Sequence, residues 1–143
     1  MKKLIVTLLV LVSLTSCGTT SLYYWGYGSE SYEALSHKRA DKESPKVICR
    51  VIAMYENLLA HPGGSRRVPP PGICAEYAYM LLQPEMMDIF YKNATNAQIS
   101  VFEGSQYGNE PFAKAIKLFE KEIELYPESA LFVMPLLKQL NAR

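Results

Sequence analysis

The stretch NEPFAKAIKLFEKEIELYP, residues 109–127, carries the clearest periodicity in the chain. Its apolar residues Phe112, Ile116, Phe119, Ile123 and Tyr126 are spaced 4, 3, 4 and 3 positions apart. That is one face of an α-helix; a strand would alternate every second residue. Lys114, Lys117, Glu120, Lys121 and Glu124 occupy the other faces, where a surface helix carries its charge. Pro111 suits the first helical turn, and Pro127 ends the helix because it cannot continue the ladder of amide donors.

Working outward, the same period recurs. Ser129 is a plausible N-cap for a last helix to about Leu140, with Phe132, Val133, Leu136, Leu137 and Leu140 apolar. Pro135 inside it is expected to kink or shorten it. Upstream, Ser44-Pro45 reads as N-cap and first helical position. Ile48, Val51, Ile52, Tyr55 and Leu59 then follow at i, i+3, i+4, i+7 and i+11, until His61-Pro62-Gly63-Gly64 stops the run. After the loop Ser65–Pro71, a second helix spans about Gly72 to Leu82. Residues 83–108 are harder to read. Met86, Met87, Ile89, Phe90 and Tyr91 suggest a short amphipathic helix, and Ile99, Val101 and Phe102 a second one capped at Thr95 or Asn96. Residues 99–103 read equally as a strand; the helical neighbours favour helix. Tyr32 to about Lys42 is a further short helix. The reading is an all-α chain, a short array of helical hairpins.

Residues 18–31, GTTSLYYWGYGSES, have no helical period. They read as a tether that becomes an extended segment bearing Tyr23, Tyr24, Trp25 and Tyr27. Before them stand Lys2 and Lys3, the charge-free run Leu4–Leu14, small residues, and Cys17. That is the layout of a secretory signal peptide, and a cysteine directly after the small residues makes it similar to a bacterial lipobox. Eleven residues of helix rise only about 16 Å, whereas a membrane span needs about 20 apolar residues. The expectation is therefore cleavage before Cys17 and acylation of its thiol and new amine. Each buried methylene contributes about 0.8 kcal/mol and one chain alone binds reversibly, so stable anchoring takes at least two. Gly18, rather than Asp, follows the cysteine; resemblance to enterobacterial lipoproteins then favours the outer membrane. The divisions are 1–16 signal, 17–31 lipidated tether and aromatic segment, and 32–143 helical domain, with 83–108 an insertion within it.

Removing residues 1–16 leaves 127 residues with 13 Lys and Arg against 14 Asp and Glu, a net charge of −1. Such a balance gives no reason to expect a nucleic-acid partner. Cys49 and Cys74 remain. If their helices form an antiparallel hairpin closed near Ser65, the two lie about 12 Å apart along the axis, too far for a disulfide, so two buried thiols are expected. Two histidines and these two cysteines lack the spacing of a zinc site, and no cofactor motif is present. His37 and Asp41 have no third member to make a catalytic arrangement, so the chain is expected not to be an enzyme.

Ala115, Phe119 and Pro127 follow the small–aromatic–proline order in the second half of a tetratricopeptide repeat, which they resemble; Glu122 stands where the repeat has a second small residue. A wider set consists of Tyr24-Trp25-Gly26, Ser44-Pro45, Pro70-Pro71-Gly72-Ile73-Cys74-Ala75-Glu76-Tyr77-Ala78-Tyr79 and Phe119 through Ser129. With the lipobox, this set resembles the uncharacterised bacterial lipoprotein family catalogued as domain of unknown function 4810. The resemblance covers nearly the whole mature chain and departs at about Gln83–Tyr107, where the family has a short turn. It implies a small helical periplasmic lipoprotein without catalytic residues, whose partner is another envelope lipoprotein such as one similar to the curli secretion channel.

Two surfaces are candidates for a partner: the rings Tyr23, Tyr24, Trp25 and Tyr27, and the insertion with Phe90 and Tyr91. Aromatic side chains are frequent binding hot spots, though both groups read equally as intramolecular packing. Arg66-Arg67 reads as a solvated turn, with a lipid or anion site as its alternative. The expected function is a non-catalytic accessory or scaffold of the envelope. The alternative is a binder of a small apolar ligand or peptidoglycan fragment between helices, lined by Tyr55, Tyr77 and Phe119.

Overall fold

A computed structural model describes residues 20–142; Cys17 and the signal-like segment before it lie outside the described residues. The described chain is helical, with seven α-helices and, among the described residues, no strand. They are α1 Tyr32–Asp41, α2 Pro45–Ala60, α3 Ile73–Leu81, α4 Pro84–Asn93, α5 Asn96–Glu103, α6 Pro111–Leu125 and α7 Ala130–Asn141. No helix among them is long and apolar enough to cross a membrane.

The helix starts follow local chemistry. Pro45, Pro84 and Pro111 each open a helix, where the missing amide hydrogen costs nothing. Thr95 and Gln98 form a reciprocal capping box on α5, two orphan backbone donors satisfied at once. The Glu110 carboxylate caps α6, accepting from the amides of Phe112 at 3.3 Å and Ala113 at 2.7 Å. Ser44 and Ser129 occupy N-cap positions without the expected side-chain bond; the Ser129 hydroxyl donates instead to the Tyr126 carbonyl at 2.7 Å. Helix α7 runs through Pro135 to Asn141, so the proline does not shorten it. The carbonyl left without a donor is that of Leu131, four residues back, in a residue 77% exposed.

Helix α2 is the spine. Ile48, Cys49, Val51, Ile52, Met54, Tyr55, Leu58 and Leu59 are all buried, far more than one stripe, as required of a helix covered on several sides. α1, α4 and α5 pack around it, whereas α3 makes its most extensive contact with α6. The chain therefore forms helical hairpins, with α4 and α5 leaving the α3–α6 pair and returning across α2. The premise that α2 and α3 pair closely along their length is corrected, but its consequence holds: Cys49 and Cys74 are free and buried. Ala115 is fully buried, and its small side chain lets α6 approach its neighbour.

The buried face of α6 is Lys114, Ala115, Leu118, Phe119 and Glu122, so the apolar stripe read from the sequence is rotated. Phe112 is exposed, Ile116 and Ile123 are half-buried, and Lys114, assigned to an outer face, is fully buried. Its ammonium donates to Glu56 Oε1 at 2.7 Å and to the Phe102 carbonyl at 2.9 Å. It also lies 3.5 Å from the centre of the Phe102 ring, a cation–π contact. Glu56 receives a second bond from the Tyr77 hydroxyl at 2.5 Å. This network ties α2, α3, α5 and α6 to one point.

Candidate functional site

A solvent-open groove runs between α1, α2, α3 and α6. One part, about 520 Å³, is lined by Arg39, Tyr55, Glu76, Tyr79, Gln83 and Phe119 among others. An adjoining part of about 390 Å³ shares Arg39, Tyr55 and Glu76 and extends to Glu43. Phe119, 2% exposed, forms floor, and Tyr79, 60% exposed, stands on the lip.

Its polar groups are held in place. Glu76 accepts from the Tyr32 hydroxyl at 3.0 and 2.9 Å and from the Tyr55 hydroxyl at 3.1 Å. Tyr55 stacks on Tyr77, with ring centres 5.0 Å apart at 15°. Burial, reinforced by the Glu76 carboxylate, raises both the Tyr32 and the Tyr55 phenol above the usual tyrosine range, so both remain donors. Across the groove, Arg39 pairs with Glu43 at 3.1 Å and lies 4.0 Å from Met80 Sδ. The arrangement offers a fixed acceptor, a guanidinium and two aromatic faces, the features that hold an extended peptide or a polar-apolar ligand. Of the pocket residues expected from sequence, Tyr55 and Phe119 come together here. Tyr77 does not: it is fully buried behind Tyr55 and bonded to Glu56.

The aromatic candidates divide. Tyr23 sits edge-on to Tyr126, 6.4 Å between centres. Tyr24 packs against the core and over Gly63. Phe90 is fully buried between Tyr91 and Phe102, which corrects its assignment as a partner contact: no partner reaches it without opening the core. Trp25, Tyr27 and Tyr91 are 39%, 87% and 49% exposed. The segment carrying the first two is pinned by backbone. Ser65 N donates to Ser21 O at 3.0 Å, Arg66 N to Leu22 O at 3.1 Å and Tyr32 N to Trp25 O at 2.8 Å. Arg50 further ties the Gly28–Glu30 turn through the Ser29 carbonyl, at 3.0 Å, and the Glu30 carboxylate. Among the described residues no group of three or more His, Cys, Asp or Glu is placed to hold a metal.

Sequence reasoning missed Glu76, Arg39 and Tyr79 as one site. Tyr32 and Glu76 are 44 residues apart, and no local pattern reports such a meeting. The motif Ala75-Glu76-Tyr77-Ala78-Tyr79 held three of the groove residues, Ala75, Glu76 and Tyr79, but gave no reason to single them out.

The buried acids give a pH expectation. Burial pushes Tyr55, Tyr77 and Tyr126 upward and the Cys74 thiol up to about 12. In the unfolded chain these groups release protons at roughly pH 8.5–10, while the folded chain retains them. Their contribution is complete below that range and is lost as pH rises through it and beyond. Lys114, whose ammonium burial draws below the usual lysine range against the pull of Glu56, acts in the opposite sense, one group against several. The melting temperature is therefore expected to hold to about pH 9 and then fall, as followed by circular dichroism between pH 7 and 11. A flat profile to pH 11 would contradict the burial of these phenols.

Comparison with protein families, with curated proteins and with solved structures finds no match for the chain.

Proposed function

We propose that the chain is a non-catalytic accessory lipoprotein of the bacterial outer membrane, anchored through acylated Cys17, that holds a segment of another envelope protein in the groove between α1, α3 and α6. The anchor rests on the run Leu4–Leu14 ending at Cys17 and on the resemblance to the lipoprotein family. The resemblance of Ala115, Phe119 and Pro127 to a tetratricopeptide half-repeat supports the binding mode, since stacked helical hairpins use concave surfaces for extended partners. The observation that carries the reading is Tyr79, 60% exposed on the lip of a groove whose charged walls are already fixed by Tyr32, Tyr55 and Glu43. A large ring left in water beside oriented polar groups suits a binding hot spot.

A photo-crosslinking residue at position 79, compared in intact membranes with one at exposed Lys92 on α4, tests it. Position 79 is expected to capture one envelope protein near stoichiometrically. Tyr79→Ala, in a chain crosslinked from position 83, is expected to lower the yield about tenfold or more, the scale of a hot-spot truncation. Equal capture from 79 and 92, or indifference to Tyr79→Ala, removes the groove as the binding site. The second reading keeps the same groove, because Tyr55 and Phe119 meet there. A small apolar molecule or peptidoglycan fragment that co-purifies, and is lost with Tyr79→Ala while no protein crosslinks, would select it.

A further inference from the structure

The docked N-terminal segment presents an apolar and basic face whose place in the chain indicates what covers it. Leu22 and Tyr27 are 59% and 87% exposed, Trp25 is 39% exposed, and none of them completes the core. The bonds from Ser65 N to Ser21 O and from Arg66 N to Leu22 O lay the backbone of the Ser65-Arg66-Arg67 loop along the Ser21-Leu22 stretch of chain, and both arginines are exposed. The contact is built in. Gly64 lies at φ +74, and a Cβ there would come within 2.5 Å of the Leu22 carbonyl oxygen, so the segment and the basic loop close on each other only with glycine at this position.

Cys17 precedes Leu22 by five residues. At no more than about 3.3–3.6 Å per residue, Leu22 lies within roughly 18 Å of the Cys17 α-carbon. If the acyl chains of Cys17 sit in a bilayer, the linker is short enough to let Leu22, Trp25 and Tyr27 reach the headgroups, where tryptophan and tyrosine are enriched because one end is apolar and the other wet. Arginines at that depth are drawn to anionic lipid. We infer that the face formed by Leu22, Trp25, Tyr27, Arg66 and Arg67 lies against the anionic headgroups of the membrane that holds the anchor. The inference rests on the acylation of Cys17 stated above.

Trp25 is the only tryptophan in the chain, so its fluorescence reports on this face alone. The acylated protein is reconstituted into vesicles of phosphatidylethanolamine and phosphatidylglycerol, with and without lipid spin-labelled near the headgroup, and Cys17 is checked by mass spectrometry. The expected result is a blue-shifted Trp25 emission that the labelled lipid quenches. Quenching is expected to fall about twofold or more in Arg66→Ala/Arg67→Ala, or when phosphatidylcholine replaces phosphatidylglycerol. If acylated chain floats with the vesicles while Trp25 is neither shifted nor quenched, the face is wrong and the anchor stands. A blue shift without lipid quenching means that protein covers the face and overturns the inference. An unmodified Cys17 in a chain that does not float removes the anchor, and this inference with it.

Discussion

Lys114→Met is expected to lower the unfolding free energy by about 3–5 kcal/mol, the cost of leaving one partner of a buried ion pair without the other. Lys114 is fully buried and Glu56 is 3% exposed, so the lost ammonium is not replaced by bulk solvent around the carboxylate. The variant leaves the Glu56 carboxylate with the Tyr77 hydroxyl alone and takes the ammonium donor at 2.9 Å from the Phe102 carbonyl, which keeps only the long bond from Ser105 N at 3.4 Å. Removing the stranded charge as well, in Lys114→Met/Glu56→Gln, is expected to recover part of the loss, because a neutral amide is less costly to bury than a carboxylate. Urea unfolding of the single and double variants measures both steps. A single variant within about 1 kcal/mol of the parent, the range of exposed pairs, would contradict the burial of this network. The consequence is also local. Phe102 belongs to α5, and its carbonyl is the point at which α6 grips that helix, so hydrogen exchange in α4 and α5 should rise first.

Glu122→Ala is expected to cost roughly 3 kcal/mol, on the scale of hydrogen bonds to charged acceptors. The side chain, 2% exposed, reaches from α6 to the start of α3 and accepts from Gly72 N at 2.8 Å and Ala75 N at 3.4 Å. A helix N-terminus favours an anion there through its unpaired amides and its dipole. Burial raises the Glu122 carboxyl above the usual range while those amides oppose the rise. Glu122→Gln keeps one acceptor oxygen and is expected to lose about half as much. Amide exchange at Gly72 and Ala75 is the direct reading. If protection there is unchanged in Glu122→Ala, another group caps α3.

These two residues also mark where the sequence stopped being legible. The longer helices were readable because their signals are local: Pro45 and Pro111 open two of them, and the 3–4 spacing of Ile48 to Leu59 needs no distant information. Pro84 and the Thr95–Gln98 capping box open α4 and α5 in the stretch where residues 99–103 read equally as a strand. Lys114 and Glu122 look like solvated residues in any periodic reading, since charge is the usual mark of an outer face. Their partners lie 58 and 50 residues away, and only tertiary packing reveals that they point inward. Phe112 was given to the core for the same reason in reverse, while Ile116 and Ile123 pack half-buried against it. The aromatic segment was legible as a feature and not as a placement. Tyr24 turns inward, while Tyr27 stays in water, and composition alone does not separate them. The groove was half legible: Tyr55 and Phe119 were paired correctly, whereas Glu76 gains its meaning only from the two hydroxyls that hold it.

The proposed function places an anchor at one end of this body and a groove for a partner beside α3. Both orientations depend on the chemistry of residue 17. The most direct test is the intact mass of the protein extracted from bacterial membranes, with fragmentation of its N-terminal peptide. The account predicts a chain beginning at Cys17, its sulfur carrying diacylglycerol and its amine acylated. Recovery from the aqueous fraction of a chain with residues 1–16 still attached, or with a free thiol at Cys17, would contradict it.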